Sequence, residues 1–256
     1  MLVRLRSLSL LIACLAILLT PSEAFAAYYG TCSAYENNLH GYADHNTPST
    51  NIDYVTAKIS ALRTVHSCTG SGGGSAMILP ANLQGASFVQ LGFGSVAAGD
   101  PAGWIWTSSD ASGGVITHMT SCGLAVVYGD AYTFTIAYNS SNASWDYTIA
   151  NNTVGGSCTV HGSAVTRYGT ETWYGYEIHD SWDQYGGPGS AIHITNMGWQ
   201  NVGSNTTQYV TGTPTLYHLY GTKYTCYKDG VIGGGSGPAD IWAYTQSYGS
   251  GGPNSC

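Results

Sequence analysis

"AYTFTIAYNSSNASWDYTIANN", residues 131–152, decides the fold class. Side chains of an extended chain alternate between two faces. Residues 131–139 therefore put Tyr132, Phe134, Ile136 and Tyr138 on one side. The five residues "SSNAS" turn the chain, and 145–152 return with Trp145, Tyr147 and Ile149 facing inward. This is a β-hairpin with a short polar connection. Helical periodicity is nearly absent from the rest of the chain, whereas alternation punctuated by turn clusters recurs, the pattern of an antiparallel sandwich or barrel. In 54–62, Val55, Ala57, Ile59 and Ala61 share a face; in 86–94, Val89, Leu91 and Phe93 share one, opposite Phe88, Gln90 and Gly92. Residues 191–199 and 215–221 read as further strands, and the glycine-rich "GGGSGPAD" and "YGSGGPNSC" as loop. The expectation is an all-β chain of about 12 or more strands, an antiparallel β-sandwich of jelly-roll, concanavalin A-like type with two large sheets.

Residues 1–26 read differently. Arg4 and Arg6 precede the apolar run 8–19, Pro21 breaks it, and Ala24-Phe25-Ala26 is a small-x-small cleavage site. The run is short for a bilayer span, so it is read as a secretory signal peptide. Residues 27–256 then form a single sandwich domain with Gly-rich loops and a C-terminal tail, secreted and extracellular, and expected as a monomer. Without the leader, five Lys/Arg face thirteen Asp/Glu, a formal charge of −8. That balance gives no electrostatic route to nucleic acid and no polybasic hold on a membrane. Cys32, Cys68, Cys122, Cys158, Cys226 and Cys256 are an even set suited to disulfides, with the pairing open. No C-x-x-C or paired-histidine spacing suggests a metal, and no cofactor is expected.

Charge is so sparse that Glu36, Glu171 and Glu177 are the only glutamates after the leader. Glu177 lies inside the aromatic stretch "WYGYEIHD" (173–180). Alternation puts Glu171, Trp173, Gly175, Glu177 and His179 on one face, and Tyr174, Tyr176 and Ile178 on the other. The second set reads as core. The first is polar and aromatic around a glycine, as where a ligand comes close to a sheet. Gln90 likewise stands opposite its apolar neighbours. A partly desolvated carboxylate can act as general base and then general acid, and an amide N–H can stabilise a developing oxyanion. Gln90 and Glu177 therefore form a minimal set for metal-free amide hydrolysis, provided they face each other across one groove.

The segments "LHGYADH", "YVTAKISAL", "ASFVQLGFGSVAAGD", "YGDAYTFTIAYNSSNASWDYTIANNTVG" and "WYGYEIHD" resemble, in the same order, motifs of the secreted glutamic peptidases, the eqolisin and neprosin groups of bacterial or fungal type. By that resemblance, Gln90 matches the oxyanion-stabilising glutamine and Glu177 the general base. It implies a two-sheet sandwich of seven strands each, no cofactor, and hydrolysis of a polypeptide substrate at acid pH. Trp106, Trp173, Gly175 and His179 are the residues expected to bind substrate. Two departures stand out. Leu39 or His40 replaces the tryptophan of the early eqolisin segment, and the upstream acid, Glu171, is six positions before Glu177.

The rival reading is a lectin-like sandwich that binds a glycan without cleaving it, or an inactive peptidase homologue. The same architecture hosts many activities. Trp104, Trp106, Trp173, Trp182 and Trp199 are candidates to stack on sugar rings. A glycosidase pair is disfavoured, since Glu171 and Glu177 would lie about 20 Å apart along a regular strand, wider than such carboxylates stand.

Overall fold

A computed structural model describes residues 39–46, 51–60, 64–65, 75–81, 89–94, 103–108, 115–119, 122–164, 168–178, 184–185, 191–219 and 227–245. Seventeen strands fall among these residues. They are β1 (Leu39–Asn46), β2 (Ile52–Ser60), β3 (Thr64–Val65), β4 (Ser75–Ala81), β5 (Val89–Gly94) and β6 (Gly103–Ser108). Next come β7 (Val115–His118), β8 (Ala131–Asn139), β9 (Ser144–Asn151), β10 (Ser157–Ala164), β11 (Glu171–Ile178) and β12 (Gln184–Tyr185). The last are β13 (Ile192–Asn201), β14 (Gln208–Tyr209), β15 (Leu216–Leu219), β16 (Tyr227–Ile232) and β17 (Asp240–Thr245).

The strands form an antiparallel jelly-roll sandwich. One sheet has seven strands in the order β15-β1-β11-β4-β5-β6-β7. The other has eight: β10-β9-β8-β2-β13-β17-β16, with β14 added on β13. A ribbon of β12 and β3 is hydrogen-bonded to neither sheet, and β12 lies beside β17. The sheets hold seven and eight strands where the resemblance implies seven each.

The hairpin of β8 and β9 forms as its alternation requires. Tyr132, Phe134, Ile136, Trp145, Tyr147 and Ile149 are fully buried. Tyr138 pairs with Trp145 and Asn139 with Ser144, so Ser144 joins the strand and the turn shortens to 140–143. The opposite face is polar. Thr56, Thr135, Thr148 and Thr159 make one row across β2, β8, β9 and β10. Their hydroxyls pair at 3.4 Å (Thr56 with Thr135) and 2.9 Å (Thr148 with Thr159). Cross-strand pairs of β-branched residues favour this pleated surface.

The space between the sheets is filled largely by aromatic rings. Trp104 packs on Tyr132 and Phe134, with centroids 4.6 and 5.8 Å away. Two tyrosines of β11 tie the layers together. Tyr174 Oη donates to Gly198 O at 2.8 Å, and Tyr176 Oη lies 2.6 Å from Ile241 O and 3.2 Å from Ile192 O. Burial holds the Tyr174 phenol far above its ordinary range, so it remains a donor. Gly198 sits where β14 crosses closely: a Cβ there would come within 2.9 Å of Gln208 O. Tyr176→Phe is expected to cost about 1–2 kcal/mol, since it deletes a buried donor facing carbonyls of the other sheet. A urea midpoint equal to that of the wild type would remove this hydroxyl from the account of sheet cohesion.

The sequence reading misses the end of the eight-stranded sheet. "GGGSGPAD" does hold the connection, but β16 and β17 flank it as a hairpin. The glycines concentrate in the turn and leave the strands on either side short. Cys122 and Cys158 are bridged; Cys32, Cys68, Cys226 and Cys256 lie outside the described residues. No helix among the described residues is long and apolar enough to cross a membrane.

Candidate functional site

The candidate site is the outer face of the seven-stranded sheet. Its parity is fixed by the core. Tyr174 and Tyr176 face inward, as do Ile78, Leu91 and Phe93, which pair along β4 and β5. Trp173, Gly175 and Glu177 of β11 and Gln90, Gly92 and Gly94 of β5 therefore share the opposite face.

Register orders that face into rows. Asp44 pairs with Trp173, which pairs with Leu79. Asn46 pairs with Glu171. Tyr217, Tyr42, Gly175, Met77, Gly92 and Ile105 form a further row, with two glycines in it. Glycine at two positions of one row removes side chains from this face, and both glycines are buried. β5 is buried along its whole length, on both faces. Gln90 is only 3% exposed, and its Nε2 has no hydrogen-bond partner among the described residues. Glu171 is buried on the same side as Trp173, which is half-buried.

A buried amide donor without an acceptor costs about 1–3 kcal/mol in the free protein. Such groups are uncommon in folded chains. Gln90 Nε2 is thus an enclosed donor whose acceptor is not among the described residues.

The residues expected from the sequence divide as follows. Gln90 and Glu177 lie in one sheet and on one face. They are separated by β4, and Glu177 aligns through Ser75 with Gly94, four residues from Gln90. Two strand spacings and four residues put their Cα atoms about 16 Å apart. Side chains stand roughly perpendicular to a sheet, so the register does not bring the two together as a facing pair. Glu177 is placed by its backbone register alone, and His179 lies outside the described residues. Trp173 and Gly175 are on the expected face. Trp106 is not: it pairs with the core residue Leu91 and packs inside the sandwich on Tyr147, with centroids 4.9 Å apart. Trp104 is also inward, and its Nε1 donates to Leu124 O at 2.8 Å. Trp199 is buried as well, and Trp182 lies outside the described residues. The sequence reading missed Tyr42, Asp44 and Asn46 of β1. Their i, i+2, i+4 spacing in "LHGYADHN" is the signal that puts all three on one face. Among the described residues, no cluster of three or more His, Cys, Asp or Glu could hold a metal ion.

No protein-family model matches this chain, and no curated protein does. Two lectins are among the solved structures similar to it. One is peanut lectin with a nine-residue peptide, at 14% identity and a TM-score of 0.33, covering 63% of this chain and 78% of the lectin. The other is the lectin UEA-II complexed with galactose, at 10% identity and a TM-score of 0.31, covering 84% of each chain. At these scores the assignment of a jelly-roll sandwich rests on the strand order given above.

Proposed function

We propose that this chain is an extracellular carbohydrate-binding sandwich, and that the outer face of the seven-stranded sheet is its ligand face. The observation that carries the reading is Gln90, a buried amide donor without a partner among the described residues, on a face that also bears Trp173 and the glycines Gly92 and Gly175. Sugars are bound by this combination: an aromatic face for the C–H side of the ring, with amides and carboxylates for the hydroxyls. Asp44 and Asn46 stand at the register positions opposite Trp173 and Glu171 on that face. The four-residue offset between Gln90 and Glu177 favours binding without hydrolysis. The disulfide fits an oxidising compartment, in keeping with the leader read from the sequence.

Glycan-array screening followed by calorimetry is the test. A glycan bound by the wild type and weakened at least about tenfold by Trp173→Ala is expected. A wild-type protein that binds no glycan sinks the proposal.

A second reading, a glutamic peptidase, is favoured by one specific observation: Gln90 and Glu177 do share a face of one sheet. Casein digestion between about pH 3 and 7 separates the two readings. Cleavage by the wild type that disappears in Glu177→Gln would replace the carbohydrate reading with the peptidase. Absence of cleavage, together with glycan binding, is expected.

A further inference from the structure

The opposite side of the molecule carries a second candidate site. On the outer face of the eight-stranded sheet, Trp242 and Tyr244 of β17 lie with ring centroids 5.6 Å apart and planes within 15° of parallel. Trp242 pairs across the strands with Gly230, and its indole occupies the space that a side chain there would need: a Cβ on Gly230 would come within 2.5 Å of Cζ2 and 2.8 Å of Cε2. The glycine lets the indole lean over β16. Neither ring belongs to the buried core, where β17 contributes Ile241 and Ala243 instead.

The pair has a polar rim. His193 is the cross-strand neighbour of Trp242 on β13. Its Nδ1 is 2.8 Å and 3.1 Å from the two carboxylate oxygens of Asp240. The carboxylate only accepts, so Nδ1 carries the proton. The other ring nitrogen, Nε2, has no hydrogen-bond partner among the described residues and is left to meet a ligand hydroxyl. The two side chains are 40% and 22% exposed. Lys228 stands opposite Tyr244. Asp240 and Lys228 therefore flank the rings with one charge of each sign, a balance that suits an uncharged ligand better than a strongly charged one.

We propose that Trp242, Tyr244 and the His193–Asp240 pair form a second glycan-binding site, for a neutral polysaccharide whose sugar rings present flat faces and equatorial hydroxyls, as in a β-linked glucan or xylan. The ring faces meet the aromatic surface, and His193 Nε2 and Asp240 meet hydroxyls at its edge. The two rings stack on one another and act as one rigid aromatic surface, each offering the face turned away from the other. The site is on the other sheet from Gln90, so it stands or falls separately from the reading of that face.

Affinity electrophoresis in soluble xylan and in β-glucan, and a pull-down on microcrystalline cellulose, test it. The wild type is expected to bind at least one of these, Trp242→Ala to bind it about tenfold more weakly, and Tyr128→Ala, at an exposed tyrosine outside both faces, to bind it as the wild type does. Gly230→Val, which displaces the indole without deleting it, is expected to weaken binding in the same direction. Near-ultraviolet circular dichroism of each variant establishes that the fold is kept. Wild-type affinity in Trp242→Ala, or binding of none of the three glycans, overturns the proposal. So does retention only by polygalacturonate that vanishes in salt, because the lysine and not the rings would then be responsible.

Discussion

Gln90→Met is expected to make the protein more stable and less able to bind. The methionine conserves length and approximate volume while removing a buried donor that has no acceptor among the described residues. Deleting an unsatisfied buried group recovers its desolvation cost, about 1–3 kcal/mol. Met is unbranched and adapts to the slot an unbranched side chain leaves. The same change removes the hydrogen bond offered to a ligand, so affinity at the face of the seven-stranded sheet should fall by about tenfold to a hundredfold. Opposite signs for stability and function are the signature of a group kept for its ligand. Equilibrium urea unfolding and glycan titration of one preparation measure both. A loss of stability on substitution would mean that Gln90 serves the fold, and the functional reading of this residue would fail.

Gln90 also shows how far a sequence reaches. Its alternation with Val89, Leu91 and Phe93 is enough to put it on the face away from the core, and the structure agrees. The hairpin at 131–152 is legible for the same reason, because an inward set of aromatic and branched side chains leaves one workable register. What alternation lacks is the order of strands in a sheet. Nothing in the chain between 94 and 171 indicates that β4 is inserted between β5 and β11. That insertion, with the four-residue offset, separates Gln90 from Glu177.

Trp106 fails for a related cause. In β6 both parities are apolar, with Trp104 and Trp106 on one face and Ile105 on the other. Periodicity alone cannot say which face is inside. Pairing with Leu91 decides it. Trp242 and Tyr244 were legible in principle, since "DIWAYT" alternates cleanly. They were masked by the glycine-rich turn just before them, which made the whole segment resemble loop.

Breaking the Cys122–Cys158 bridge is expected to cost the most stability of any change considered. The bridge spans a sequence separation of 36 residues that includes the whole β8–β9 hairpin. Closing a loop of that length in the unfolded chain removes entropy equivalent to about 4 kcal/mol at room temperature on the chain-entropy model. It also anchors residues 122–130, which run unpaired in any sheet but are fastened to the core. Tyr132 Oη donates to Ala125 O at 3.3 Å and accepts from Val127 N at 2.8 Å, and Leu124 O accepts from Trp104. The double variant Cys122→Ser with Cys158→Ser avoids a stray thiol, and calorimetry should find its melting temperature lower by roughly 8–15 °C. A fall of a degree or less would mean that side-chain packing holds this segment without the bridge. The expected size of the effect bears on where the protein works: a few kcal/mol is a large share of a domain's net stability, and a reducing compartment would forfeit it. Both proposed glycan sites depend on sheets kept in register, so a chain stabilised in this way is suited to bind its ligands where disulfides persist.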